Sequence, residues 1–320
     1  MKKNPILPIL MFLFTCFALC TQPIYAQNNS NPTKGKTKVK TTATDDNNML
    51  DDDDDEPQLE RVKNAFKSSR VINGHSMEMI GHGTLDFRIL HRFGLINRGL
   101  YELFGLDQAS MRMGFDYGVL PNLTVGIGRA TVRKESDAFI KYRLLWQSKG
   151  AKNIPVSLVW VSGITCSGLK WSDPERDNYF SSRLGYYHSL IIGRKFNERL
   201  SLQISPTLVH RNLVAKKEDG NDIYAIGLGG RVKLTRRITL NVDYHHALNG
   251  QPKDENQNPL SIGFDIETGG HVFQLHFSNA VGMNERTFIT ETNNDFFKGD
   301  IQFGFNLSRI FQVHSPKKLK

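Results

Sequence analysis

The residues of this chain that could do chemistry are its ten histidines, two glycine-rich runs and a set of charges set two residues apart. His82, His245 and His276 fall on the polar phase of alternating stretches, a placement that would suit a metal or haem. No HExxH, paired-cysteine or CxxCH spacing accompanies them, so hydrogen-bonded histidines are the expected reading, with no metal ligand among them. Gly126-Ile127-Gly128-Arg129 and Gly227-Leu228-Gly229-Gly230-Arg231 have the look of phosphate-binding loops. Neither ends in Lys-Ser/Thr or leads into a helical pattern, and glycines that make room along a strand explain them better. A hydrolase would need a serine, a histidine and an orienting group close together. His246 lies on an apolar phase beside Tyr244, but no serine can be assigned to it. No catalytic residue and no cofactor are therefore expected. The charges are the richer signal: Asp86, Arg88, Arg92, Arg112, Asp116, Lys141, Arg143, Arg231, Lys233, Asp243, Asp265 and Glu267 all sit on polar phases and mix both signs.

What positions them is a repeated alternation. In Thr84–Gly94 (TLDFRILHRFG), Leu85, Phe87, Ile89 and Phe93 alternate with Asp86, Arg88, Leu90 and Arg92, as in a strand with two unlike faces. Met111–Val119, Leu123–Gly128, Ala138–Trp146, Leu200–Leu208, Tyr224–Leu234, Ile238–His245, Ser261–Glu267, Val272–Ser278 and Ile301–Ser308 repeat the theme. Val156–Trp160 and Leu184–Arg194 are two further strands whose phase the residues do not fix. Twelve strands are thus expected between Met77 and Phe311.

The connections decide which face is inside. Long links at 94–108, 166–183, 213–222, 247–260 and 280–299 alternate with short ones at 120–122, 196–199, 235–237 and 268–270. Two links break the pattern, 131–136 being short and 147–155 long. Alternating short turns and long loops around an even strand count is the layout of a transmembrane antiparallel outer-membrane β-barrel, whose apolar phases face lipid and whose polar phases line a lumen. An exported soluble β-sandwich has no reason to place its long loops at every second connection. Closure also removes the sheet edges that twelve open strands would expose. No later stretch offers eighteen apolar residues in a row, which excludes a helical membrane protein.

The N-terminus fits export. Lys2 and Lys3, the apolar run Ile6–Leu19 and the small residue Ala26 form a signal peptide over 1–26. Its removal leaves Cys166 alone, so no intramolecular disulfide can form and nothing marks this thiol as a nucleophile. Residues 27–56 hold eight acids against four lysines, and read as a disordered acidic periplasmic tether. The run Asp51–Asp55 lacks the alternating spacing of a calcium loop. Residues 57–76 are an unassigned lead-in that could be a strand, a short helix or a lumenal insert; 77–311 is the barrel, and 312–320 a tail. With the net charge of the whole chain at +9, residues 57–320 carry +11, a balance suited to lipopolysaccharide or anionic solutes rather than nucleic acid in that compartment.

INGHSMEMIGHGTLDFRILHRFG, LFGLDQASMRMGFDYGVLPNLTVGIGR, FIKYRLLWQS and GGHVFQLHFSN resemble a β-barrel family of Bacteroidetes known as domain of unknown function 5777, over about Ala65–Phe311. The resemblance implies an outer-membrane barrel and implies no activity; the layout of turns and loops gives a porin-like barrel in a lipid bilayer with periplasmic termini. Barrels of this kind usually end on an aromatic residue that the barrel-assembly machinery reads. Here Phe311 takes that place, with nine residues following it. Two functions remain open on the sequence. One is passage or binding of small solutes, anions among them, through charges such as Arg88, Arg112, Lys141, Arg143, Arg231 and Lys233. The other is a non-conducting structural or interaction barrel, its mixed charges paired across the lumen and its loops or tether binding a periplasmic or extracellular protein partner.

Overall fold

A computed structural model describes residues 58–314 apart from 215, 217, 218, 250–255, 269 and 270. The signal peptide, the acidic tether and the end of the tail lie outside the described residues.

Twelve antiparallel strands close into one barrel: β1 (Thr84–Leu95), β2 (Ala109–Leu120), β3 (Leu123–Ala130), β4 (Ser136–Leu145), β5 (Ser157–Cys166), β6 (Leu184–Lys195), β7 (Leu200–Arg211), β8 (Asp222–Lys233), β9 (Ile238–Ala247), β10 (Leu260–Thr268), β11 (His271–Ser278) and β12 (Gln302–Gln312). Each strand pairs with its sequence neighbours, and β12 closes on β1 through pairs such as Leu307 with Ile89. The strand count and the faces follow the alternation. Along β1, residues Asp86, Arg88, Leu90 and Arg92 are buried inside while Leu85, Phe87, Ile89 and Phe93 face outward. β5 defied a phase assignment because its inner face is itself apolar: Val159 and Val161 point inward with Ser157, Gly163 and Thr165. On β6 the inner row is Gly185, Tyr187, Ser189, Ile191 and Gly193.

The glycines of the inner rows make room. A Cβ on Gly128 would stand 2.2 Å from Arg112 Nη2, one on Gly163 2.2 Å from a Tyr187 ring carbon, and one on Gly193 2.2 Å from Met77 Sδ. The two runs that looked like phosphate loops are of this kind, since Gly126 backs onto Phe139 and Gly229 onto Gln203 and Val71. Strand glycines here let large side chains cross the bore.

The bore is full. The first strand begins at Thr84 rather than Met77, and the segment ahead of it is the lumenal insert among the readings left open for 57–76. Glu60–Arg61 first pairs with Ser148–Lys149 at the barrel end that carries the termini. The long link 146–156 that broke the alternation is the one that catches the incoming chain. Residues 69–76 then form a tight hairpin, held by Val71 N–H to Gly74 O at 2.8 Å and Ser76 N–H to Ser69 O at 2.9 Å. Ala65, Phe66, Val71 and Met77 of this lead-in join Phe139, Val159, Val161, Tyr187 and Ile191 in one apolar cluster. Burying such side chains, at about 25 cal/mol per Å², gives the lead-in a reason to leave water.

A second segment enters from the opposite end. The link between β11 and β12 folds inward as α1 (Glu285–Thr290), all six residues of which are buried. Asn284 caps it, with Asn284 and Thr287 each bonding the other's backbone N–H. Phe288 and Ile289 complete the apolar cluster. The short link 131–135 that broke the alternation also has a purpose. It holds Glu135, 1% exposed, where its carboxylate accepts from Asn284 Nδ2 at 2.8 Å and Arg286 Nε at 2.8 Å.

Candidate lumen site

The inward charges do not face an open channel; most of them hold the lead-in. Arg92 donates to Asn73 Oδ1 at 2.7 Å and to Asn306 Oδ1 at 2.9 Å. Arg88 donates to Ser69 Oγ at 2.9 Å and pairs with Asp86 at 2.5 Å, while Asp86 also accepts from Ser308. Lys141 donates to the carbonyls of Ser69 at 3.1 Å and Glu78 at 2.5 Å, and Arg143 donates to that of Met77. Arg231 donates to the carbonyls of Ala65 at 2.8 Å and Asn64 at 3.1 Å.

Asp243 is the anchor of the hairpin. One of its oxygens accepts the backbone N–H groups of Asn73 at 2.7 Å, Gly74 at 2.9 Å and Ile72 at 3.3 Å. The other lies 3.0 Å from His245 Nε2. Gly74 is required at this contact because a Cβ there would come within 2.8 Å of the same histidine nitrogen. Three converging N–H groups satisfy a buried carboxylate that would otherwise be costly to take out of water.

The remaining expected residues divide by position. Arg112 makes a two-bond pair with Asp137, Nε–Oδ1 at 2.8 Å and Nη2–Oδ2 at 2.5 Å. Asp116 is buried on the inner face of β2. Asp265 accepts from Gln274 Nε2 at 2.9 Å, and the same nitrogen reaches the carbonyl of Val71 at 2.8 Å. Glu267 pairs with Lys67, but its side chain is 44% exposed. Lys233 is partly exposed at the end of β8 and belongs to the rim. His245 and His276 are buried inside. His82 is a correction: it precedes β1 in the turn at the terminus end, and its ring nitrogen lies 2.8 Å from Val119 O. The alternation that placed it inside does not extend past Thr84 into that turn. His246 faces outward and bonds Tyr244 and Asn258.

The alternation alone underweighted several residues that matter most here. Gln203 takes both Met77 N–H at 2.9 Å and the His75 carbonyl at 2.8 Å, and Asn306 donates to the Ile72 carbonyl at 2.9 Å. Their inward phase was legible; their backbone partners were not. The signal that could have found the insert is the run Val71-Ile72-Asn73-Gly74, a hydrophobic pair followed by turn residues.

His75 gives the insert a pH response. Its ring packs edge-on against Phe139 with centroids 4.5 Å apart. Burial first, then the nearby Arg70, holds its imidazole well below the ordinary value, with Lys141, Arg88 and Arg112 adding to the effect. Glu285, 3.8 Å from Nε2, is the carboxylate that faces it. The docked histidine is neutral, whereas a released one takes a proton below pH ~6.5. Retention of the insert is therefore full above that value and weakens as the pH falls below it. Hydrogen exchange over residues 69–76, corrected for intrinsic rates, is expected to be faster at pH 5 than at pH 8, and His75→Asn is expected to flatten the difference. Equal protection of the wild type at both values would sink the prediction.

The fold and its interior define a class: a transmembrane β-barrel whose bore is occupied by its own chain, entering from both ends. The chain belongs to the family described as a membrane bound beta barrel domain, domain of unknown function 5777, whose profile matches residues 66–311. That match starts at Phe66, so the hairpin at 69–76 lies within the family's domain. Among solved structures, the NanC porin in a rhombohedral crystal form is 8% identical with a TM-score of 0.46, over 70% of this chain and 98% of that one. The KdgM porin is 9% identical with a TM-score of 0.42, over 72% and 99%. A Salmonella typhi OmpF complex with daunomycin is 8% identical with a TM-score of 0.34, over 71% and 97%. No curated protein matches the chain.

Proposed function

We propose that the protein is an outer-membrane barrel with periplasmic termini, kept shut by its own lead-in, which serves as an interaction platform rather than an open channel. The observation that carries this reading is the use of the lumen charges. Arg88, Arg92, Lys141, Arg143, Arg231 and Asp243 all spend hydrogen bonds on residues 64–78. A barrel built to pass anions would leave such cations facing water. The loops at the end opposite Glu60–Arg61 are then the parts available to a protein partner.

A second reading, passage of small solutes, is favoured by the basic residues of the inner wall and requires residues 65–80 to leave the bore. Planar-bilayer recording separates the two. The full-length protein, shown to be folded by heat-modifiable migration in detergent gels, is expected to give no stable open-channel currents. Long-lived, stepwise currents from that preparation would overturn the closed reading and favour passage. Fractionation of the producing cells tests the compartment, and recovery in the inner membrane or as a lipid-free soluble protein would count against it.

A further inference from the structure

The lead-in and the inward-folded loop come from opposite faces of the membrane and meet inside the barrel. The meeting point is Glu285. Its Oε1 lies 3.5 Å from Arg70 Nη1 and accepts the His75 backbone N–H at 3.3 Å. Both side chains of the ion pair are almost wholly buried, Arg70 at 0% and Glu285 at 3%. A second contact lies beside it, with the Phe288 ring 4.8 Å from that of His245, the histidine that shares Asp243 with the hairpin.

The residues flanking Glu285 do a different job. Asn284 and Arg286 both grip Glu135 on the link between β3 and β4, and Arg286 also pairs with Glu291 at 2.8 Å. Burial opposes the charge of Arg286, but Glu291 and Glu135 outweigh it and hold the guanidinium more firmly charged than usual. Three successive residues of one short segment thus tie the loop to the β3–β4 link through the outer two and to the lead-in through the middle one. Neither segment can leave without exposing a charge of the other to a low-dielectric surrounding with no partner.

We infer that the barrel is a relay: an event that draws the loop at 280–299 outward loosens the lead-in, which enters from the opposite end. The inference rests on the plugged reading above, but it makes a separate claim, namely that the two inserts are energetically coupled. Coupling of this kind is reciprocal, so loosening the lead-in also loosens the loop. The physical path is a direct contact between two segments that each have a docked and an undocked state, not a chain of spatial intermediaries.

Hydrogen exchange on the full chain in lipid nanodiscs tests it. Arg286→Ala removes the charged tie between the loop and Glu135. Exchange over 284–291 is expected to rise, and exchange over residues 69–78 is expected to rise with it by tenfold or more, while β7–β9 stay protected. Glu285→Gln keeps the volume and the ties to Glu135 and removes the negative charge that faces Arg70 and the His75 N–H. It is expected to speed the lead-in while leaving Asn284 and Arg286 protected. In the reverse direction, Asp243→Ala, which frees the hairpin, is expected to speed exchange over 284–291. A loop that loosens in Arg286→Ala while the lead-in keeps wild-type protection overturns the relay. General loss of protection in β7–β9 marks a misfolded variant, and Glu285→Gln then decides alone. Bilayer currents bear on the closed reading and not on this one: a conducting barrel with coupled inserts would refute the former and leave the latter standing.

Discussion

Asp243→Ala is expected to expose Arg70 to trypsin about a hundredfold faster than in the folded wild type. The carboxylate accepts three backbone N–H groups of the hairpin and touches His245. Bonds to a charged group contribute about 1.5–3 kcal/mol each, and their loss also strands buried donors. A loss of about 3 kcal/mol in docking, well short of their sum because the apolar cluster remains, corresponds to roughly two powers of ten in the released population. Cleavage after Arg70, followed by mass spectrometry of the detergent-solubilised protein at pH 8, reads that population directly. Asp243→Asn keeps one accepting oxygen in place and is expected to fall between. An unchanged cleavage rate in Asp243→Ala would mean that the hairpin is held by packing alone.

The second large effect concerns the wall rather than the insert. Arg112 and Asp137 form a two-bond pair across β2 and β4, and both side chains are 1% exposed. Arg112 occupies the room left by Gly114 and Gly128. Asp137→Ala leaves a buried guanidinium without its counter-ion and is expected to cost about 3–5 kcal/mol. The double replacement Arg112→Met with Asp137→Leu removes both charges together and is expected to cost much less than Asp137→Ala. Urea unfolding in lipid vesicles, followed by tryptophan fluorescence, gives the comparison. If Asp137→Ala costs under about 1 kcal/mol, water reaches the pair and the interior is wetter than its burial implies.

Much of this architecture is written in the chain at a spacing of two. Residues such as Asp86, Arg112, Lys141 and Asp243 were placed inside by alternation with Phe, Ile and Val, because a strand has only two faces and lipid accepts one kind of side chain. The phase failed at Val159, Val161 and Tyr187, since the inner face there is apolar and its residues look like those facing lipid. It also failed at His82, which stands in a turn where period-two logic no longer applies. The occupant of the bore was the least legible part. Residues 65–80 form neither a barrel strand nor a long helix, and what fixes them is hydrogen bonding to backbone groups, which leaves almost no trace in residue type. Glu135 and Arg286 were hidden for a related reason: both lie in links between strands, where no periodicity ties them together.

The hairpin at residues 69–76 has a consequence for how the molecule is made. Its partners come late: Asp243 follows Gly74 by 169 residues, and Asn306 follows Ile72 by 234. The hairpin is synthesised before any of them, and its hydrogen bonds wait for chain that follows it. Contacts so distant along the chain form slowly, because the closure entropy must be met before they reward it. The seat of the hairpin is therefore complete only when strands from both halves of the chain, as late as β12, are in place, and the insert reports on closure of the whole wall.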